Sequence, residues 1–351
     1  MLFDVFCRVI DNFGDIGVCW RLAADLAARG ESVRLWVDDA SALRWMAPHA
    51  NTSVTVMGWS QADGAVHPGD VVIEAFGCEL PSAFVQSMVG RTCAPVWINL
   101  EYLTAERYAL RSHGLQSPQL SGPGAGLSKW FFYPGFQQES GGVLREVDLL
   151  KRQNAFNAAA WLSEMGCAPQ VGERMVSLFC YDNPRLPGLL TDLSREPTLL
   201  LVTAGAAAEQ VRQVVGSDER ARGLLRVHYL HWLSQANYDH LLWASDLNFV
   251  RGEDSFVRAQ LAGKPFVWQI YPQHDGAHAV KLRAFVELFG DVTERRDLLW
   301  PSWATWNGLS NVPLELPAAS NWQAASAVWR DHLLAQTDLT SRLQSFVAER
   351  R

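Results

Sequence analysis

The sequence predicts an α/β protein of two Rossmann-like domains, and three observations carry that prediction. Its 351 residues exceed what one simple core organises and fit two domains of roughly 150 residues each. Short runs rich in Val, Ile, Leu and Phe alternate with helical lengths through both halves, the pattern of parallel sheets with crossover helices. Each half also has a strand that runs into a glycine-bearing loop and then a helix, Val9 to Gly17 in the first and Asn248 to Ser255 in the second. In open parallel sheets the functional crevice lies at the carboxyl ends of the strands, so function is expected at these two loops.

Composition narrows the class. Hydrophobic residues make up 48% and charged residues 19%, which excludes a largely disordered chain. A net charge of −7 argues against nucleic acid as a general partner and leaves a basic protein partner open. The six cysteines, Cys7, Cys19, Cys78, Cys93, Cys167 and Cys180, form no C-x-x-C pair and mostly sit in apolar runs, as reduced thiols of a cytoplasmic protein do. Met1-Leu2-Phe3-Asp4 offers no basic leader, and no apolar run approaches the ~18 residues that span a bilayer. Neither export nor membrane insertion is expected.

In the first half, Leu2 to Arg8 reads as a strand, and Val18, Leu22 and Leu26 mark a helix that Gly30 stops. Strands follow at Ser32–Val37, Val71–Ala75 and Pro95–Leu100, with helices near Ser41–Ala47 and Pro81–Val89. Their carboxyl ends are expected to gather Asp11, Asp15, Glu74, Phe76, Gly77 and Glu101, four acids on one rim. The loop from Asp11 to Gly17 departs from G-x-G-x-x-G, and its acids would repel a pyrophosphate. Either aspartate alone reads as a helix cap. Spaced four apart around Gly14, the pair also reads as a receptor for a cationic or proton-bearing acceptor. Gly122-Pro123-Gly124-Ala125-Gly126 has no strand before it and lacks a donor at Pro123, so it is expected to be a flexible surface loop. The segment Thr104 to Gly142 contains Trp130-Phe131-Phe132-Tyr133, too aromatic for a passive linker and expected to fold over the cleft. One helix is expected from Arg145 to Met165, closed by Gly166. The boundaries are therefore 1–165 and 166–320, with a last helical segment, 321–351, returning to the first domain.

The second half places strands at Met175–Cys180, Thr198–Val202, Leu224–Leu230, Leu247–Val250 and Phe266–Ile270, and helices near Leu186–Leu193 and Asn237–Ala244. Around Arg251-Gly252-Glu253-Asp254-Ser255, Gly252 permits a sharp turn, and Asp254 or Ser255 is expected to cap a helix whose N–H groups attract phosphate. Arg251 suits a diphosphate, and Glu253 and Asp254 suit hydroxyls, a mixture that points to a sugar nucleotide. Arg251 and Glu253 read equally well as a surface ion pair. His274 and His278 have the spacing of a zinc site, but no third ligand is evident and a helix start is the simpler reading. Two facing domains of this kind define the GT-B architecture. No D-x-D, G-x-x-x-x-G-K-[ST] or G-x-S-x-G occurs, so manganese-dependent transferase, P-loop and serine hydrolase readings lapse. A transferase with a protein acceptor, a small-molecule glycosyltransferase or epimerase, and a non-catalytic nucleotide-binding module stay open.

With Asp11-x-x-Gly14-Asp15-x-Gly17, Phe179-x-Tyr181, Arg251-Gly252-Glu253-Asp254-Ser255 and Pro272-Gln273-x-Asp275-x-x-His278, nearly the whole chain resembles the EarP family of protein-arginine rhamnosyltransferases. The resemblance implies an inverting, metal-independent GT-B enzyme that moves L-rhamnose from dTDP-β-L-rhamnose to one arginine of elongation factor P, which then helps ribosomes stalled at polyproline. It implies Asp11 and Asp15 as the catalytic pair, with Asp15 as base, and Glu253 as a third essential acid. Phe179, Tyr181, Trp232, Gln235, Arg251, Asp254 and Ser255 would surround the donor, aromatic groups at the thymine and Arg251 at the diphosphate.

Overall fold

A computed structural model describes residues 1–10, 13–48, 53–64, 66–216, 223–273 and 276–351. Asp11, His274 and Asp275 lie outside the described residues. The chain divides into two compact units, Met1–Val147 with Gln336–Arg351, and Asp148–Ala335.

In the first unit the strands are β1 (Leu2–Cys7), β2 (Ser32–Val37), β3 (Val54–Gly58), β4 (Val71–Ala75), β5 (Val96–Leu100), β6 (Gln116–Pro118) and β7 (Ser128–Phe132). They form one sheet in the order β3-β2-β1-β4-β5-β7-β6, parallel throughout except where β6 pairs antiparallel with β7. The second unit holds β8 (Arg174–Leu178), β9 (Thr198–Val202), β10 (Leu225–Tyr229), β11 (Leu247–Arg251) and β12 (Phe266–Gln269). These form an all-parallel sheet in the order β10-β9-β8-β11-β12. Strand order reverses between β1 and β4 and between β8 and β11, so each sheet opens a crevice at that switch point.

Burial on both faces explains why the central strands read as continuous apolar runs. Every residue of β4, β5 and β9 is buried. One face of the first sheet packs Phe3, Val5, Ile73 and Ile98 against Ile16, Cys19 and Leu26 of the helix Gly14–Ala28, and against Leu343 and Val347 near the C-terminus. The other face packs Phe6, Trp36, Val72 and Trp97 against Phe84 and Met88. Buried Asp4 on that face takes hydrogen bonds from Arg34 at 2.6 and 2.7 Å, Trp36 at 2.8 Å and the Gly69 N–H at 2.6 Å, so its charge is fully partnered.

Four expectations change. The units part at Val147 and Asp148 rather than after residue 165. The single helix expected over Arg145 to Met165 is two, Leu149–Ala155 and Ala158–Glu164: the chain turns extended at Phe156, and Asn157 then caps the second helix by accepting the Ala160 N–H at 3.0 Å. Near the C-terminus Ala319–Leu334 ends at Ala335, and Asp338 then caps Leu339–Ala348 by accepting the Ser341 N–H at 2.9 Å. The first of these helices belongs to the second unit and the last to the first. Asp338 also accepts from Arg29 at 2.7 Å, which ties the last helix to Gly14–Ala28. Finally, Trp130 to Phe132 is no flap over a cleft. It lies in β7, where Trp130 and Phe132 pack edge-on against Phe346. The Gly122–Gly126 loop is the turn of the β6–β7 hairpin, closed by the Gly126 N–H on Gln119 at 2.9 Å. Gly124 is buried there, and a Cβ on it would stand 3.1 Å from Val85 and 3.2 Å from Trp97.

Candidate functional site

At the second switch point, Phe179 and Tyr181 leave the end of β8. The Phe179 N–H reaches the Phe249 carbonyl at 2.9 Å, which extends the ladder to β11 by one residue. The Tyr181 N–H is taken by Gln269 Oε1 at 2.9 Å and its carbonyl by Gln210 at 3.1 Å. Arg251 is the last residue of β11. Its guanidinium carbon lies 4.5 Å from the Phe179 ring centre and 4.4 Å from that of Tyr181, a double cation–π contact. The ion pair left open between Arg251 and Glu253 is not present among the described residues. Gly252, at φ +67°, then turns the chain, with its carbonyl held by the Trp268 indole N–H at 2.8 Å. Trp268 in turn stacks on Phe256 at 3.8 Å.

The helix Asp254–Ala262 starts directly after this turn and carries no side-chain cap. The expectation that Asp254 or Ser255 caps it is corrected: the Ser255 hydroxyl donates back to the Arg251 carbonyl, which stiffens the turn. Arg251 and the positive end of that helix thus stand side by side. Trp232 and Gln235 come from the end of β10, two strand positions from β8, or about 10 Å at the usual inter-strand spacing. Trp232 is 51% exposed and lies over Gly205, where a Cβ would come within 3.5 Å of the indole. Gln235 opens the helix Gln235–Ala244, which Ser234 caps through the Asn237 N–H at 3.2 Å.

At the first switch point Asp15 sits in the opening turn of Gly14–Ala28 and is 3% exposed. Its Oδ2 accepts the Ile10 N–H at 3.0 Å, and its Oδ1 accepts the Tyr102 hydroxyl at 3.3 Å. Tyr102 stacks on Phe76 with ring centres 4.3 Å apart. Glu101 accepts from Asn99 at 2.7 Å, and Asn99 accepts the Gly77 N–H at 3.3 Å. The expected rim of four acids loses Glu74. That carboxylate is buried on the opposite face of the sheet, salt-bridged to Lys129 at 3.2 Å, with Trp97 donating to it at 3.2 Å. Strand alternation puts it there: Val72 and Glu74 face one side, Ile73 and Ala75 the other.

Sequence reasoning missed Tyr102. A strand-end position told of Tyr102's neighbourhood, but nothing in the sequence told which way its hydroxyl points. Of the residues in the zinc reading only His278 is described: it lies in the first turn of the helix Ala277–Thr293, and its Nδ1 accepts the Gln273 N–H at 3.1 Å. No group of three metal-ligating side chains is present among the described residues. Among them, too, no helix is long and apolar enough to cross a membrane.

Residues 3–348 match the family described as Elongation-Factor P (EF-P) rhamnosyltransferase EarP. The chain belongs to the EarP family. A protein-arginine rhamnosyltransferase of Pseudomonas aeruginosa is 43% identical, with 99% of each chain covered. One of Shewanella oneidensis is 32% identical, with 98% of this chain and 97% of the relative covered. A solved EarP structure, described as the basis of EarP-mediated arginine glycosylation of translation elongation factor EF-P, superposes with a TM-score of 0.67 at 32% identity over 99% of both chains. The glycosyltransferase VinC in complex with dTDP, at 15% identity and a TM-score of 0.57 over 100% of this chain and 99% of the other, shares the fold. As an EarP member the chain is a glycosyltransferase of the GT-B fold, each domain with its own switch-point crevice.

Proposed function

We propose that the chain transfers L-rhamnose from dTDP-β-L-rhamnose to an arginine of translation elongation factor P, in the cytoplasm, with inversion at the anomeric carbon and without a metal ion, and so relieves ribosomes stalled at polyproline. The observation that carries this reading is Arg251, held by two ring faces beside an uncapped helix N-terminus. That combination suits a departing diphosphate and supplies the charge that a divalent ion supplies elsewhere. Phe179 and Tyr181 then serve the diphosphate end by holding Arg251, and Trp232 is the aromatic surface for the thymine, with Gln235 beside it. Asp254 and Ser255 line the sugar–phosphate side. Five of the six cysteines are buried and all six are free thiols, which suits a reducing compartment.

A guanidinium has a pKa above 12 and delocalised lone pairs, so one carboxylate cannot deprotonate it in the ground state. Asp11 and Asp15 would each hydrogen-bond a guanidinium nitrogen and aim one of them at the anomeric carbon. As that nitrogen forms the C–N bond, the C–O bond to the diphosphate breaks and dTDP leaves with the electron pair. The attacking nitrogen becomes acidic and passes its proton to Asp15, while Glu253 orients the sugar or the acceptor. Attack opposite the leaving group turns a β-linked donor into an α-linked product.

Incubation of elongation factor P with enzyme and dTDP-β-L-rhamnose, followed by mass spectrometry, tests this. One deoxyhexosyl unit on a single arginine, formed equally in EDTA, is expected. Inhibition by EDTA that manganese reverses would refute metal independence, and turnover on small acceptors with none on the factor would refute the protein acceptor.

A further inference from the structure

Asp15 does not stand alone at the end of β1. Its two oxygens are engaged separately, Oδ2 by the Ile10 N–H and Oδ1 by the Tyr102 hydroxyl, and both donors come from outside its own helix. Tyr102 is 36% exposed, so burial alone does not fix its ring. The fixing element is Phe76, stacked on it with an interplanar angle of 12°. Phe76 itself has φ +58°, and Glu79, three residues on, has φ +47°. For residues with a Cβ this left-handed backbone is strained, and such strain gathers where a site over-determines it. The Phe76 N–H is anchored on the Leu100 carbonyl at 2.7 Å, which sets the end of β4 against the end of β5, two residues before Tyr102.

We infer that Tyr102 is a positioning residue for Asp15, held by Phe76, and that it keeps the carboxylate turned toward the acceptor nitrogen. The inference rests on the proposed role of Asp15 as base. A bare aspartate at a helix start can rotate toward its own first N–H groups. Donation from Ile10 and Tyr102 opposes that rotation and favours the charged form. The neighbouring Cys19 thiol also interacts with Asp15. The Cys7 hydrogen bond and burial hold that thiol's pKa well above its usual range, so it adds no second negative charge beside Asp15.

The test is Tyr102→Phe, which keeps the ring and its stack on Phe76 and removes only the hydroxyl. Loss of a hydrogen bond to a charged group corresponds to about tenfold or more in rate. The expected result is a kcat lowered by that factor, unchanged affinity for dTDP-β-L-rhamnose, and an acid limb of kcat/KM moved to higher pH by about one unit, because the ionised carboxylate has lost a donor. Phe76→Ala keeps the hydroxyl but frees the ring, and is expected to move both readouts in the same direction by less. A Tyr102→Phe enzyme with wild-type kcat and an unmoved acid limb overturns the inference. Asp15→Asn separates the two levels: if it still transfers, the base assignment itself fails, and if it is inactive while Tyr102→Phe matches wild type, only the positioning role fails.

Discussion

Because the faces of Phe179 and Tyr181 hold Arg251, its charge is oriented without being neutralised. Under the proposed function, a carboxylate partner would have to be displaced on diphosphate binding whereas a ring face would stay in place, so Arg251 would be oriented before the donor binds. Arg251→Ala is therefore expected to lower kcat/KM by about 10²- to 10³-fold, the scale of losing one preorganised donor to developing negative charge. Arg251→Lys restores the charge but not the flat, forked group that spans both rings, and it is expected to recover only part of that loss. Steady-state kinetics on both variants check this, and a lysine enzyme equal to wild type would show that charge alone suffices.

The seam between β7 and the last helix is where element packing meets titration. His113 lies edge-on to Phe132 and near Phe346, and its Nδ1 accepts the Tyr133 N–H at 3.0 Å. Burial lowers its pKa to about 4, with Arg342 and Arg350 adding to the effect. Its ordinary value is near 6.5, so on acidification the unfolded chain binds this proton before the folded one does. The stability it contributes is complete above pH ~6.5 and is lost as pH falls toward 4. His113→Asn keeps an acceptor for Tyr133 but does not titrate, so its melting temperature is expected to fall less steeply between pH 7 and pH 5 than that of wild type. Parallel slopes would refute this. The same seam shows what was legible in the sequence. Buried runs such as Val71–Ala75 and Thr198–Val202 announced themselves, because strands covered on both faces need no alternation. β3 did not, since an edge strand with exposed Thr55 and Val56 lacks that signal. β7 was misread because its aromatic residues earn their place through Phe346, more than two hundred positions away. The two helix breaks at Asn157 and Asp338 were legible in principle, as each is an N-cap residue inside an otherwise periodic stretch.

At the scale of the whole molecule the chain repeats one device. In each unit the first strand of the Rossmann order lies next to the strand where the order reverses, and the candidate residues gather there: Asp15 after β1 with Tyr102 from the end of β5 beside β4, and Phe179 and Tyr181 after β8 with Arg251 ending β11. The partition could be read from the sequence because loop chemistry differs between halves, acids in one and an arginine before a helix in the other. The individual contacts could not, since Glu74 and Tyr102 both lie near the carboxyl ends of strands and only the pleat and the neighbouring strand decide which one meets Asp15. This partition also separates two measurable quantities. The groups that hold Asp15, Ile10 and Tyr102, belong to the first unit, and every residue assigned to the donor belongs to the second. Asp15→Asn replaces one oxygen by an amide of the same shape, so the second crevice has no reason to change. It is expected to abolish transfer while binding dTDP-β-L-rhamnose within a few-fold of wild type, as read by calorimetry beside mass spectrometry of elongation factor P. If the variant loses donor affinity as severely as turnover, Asp15 acts on the donor, and the assignment of acceptor and donor to separate units is wrong.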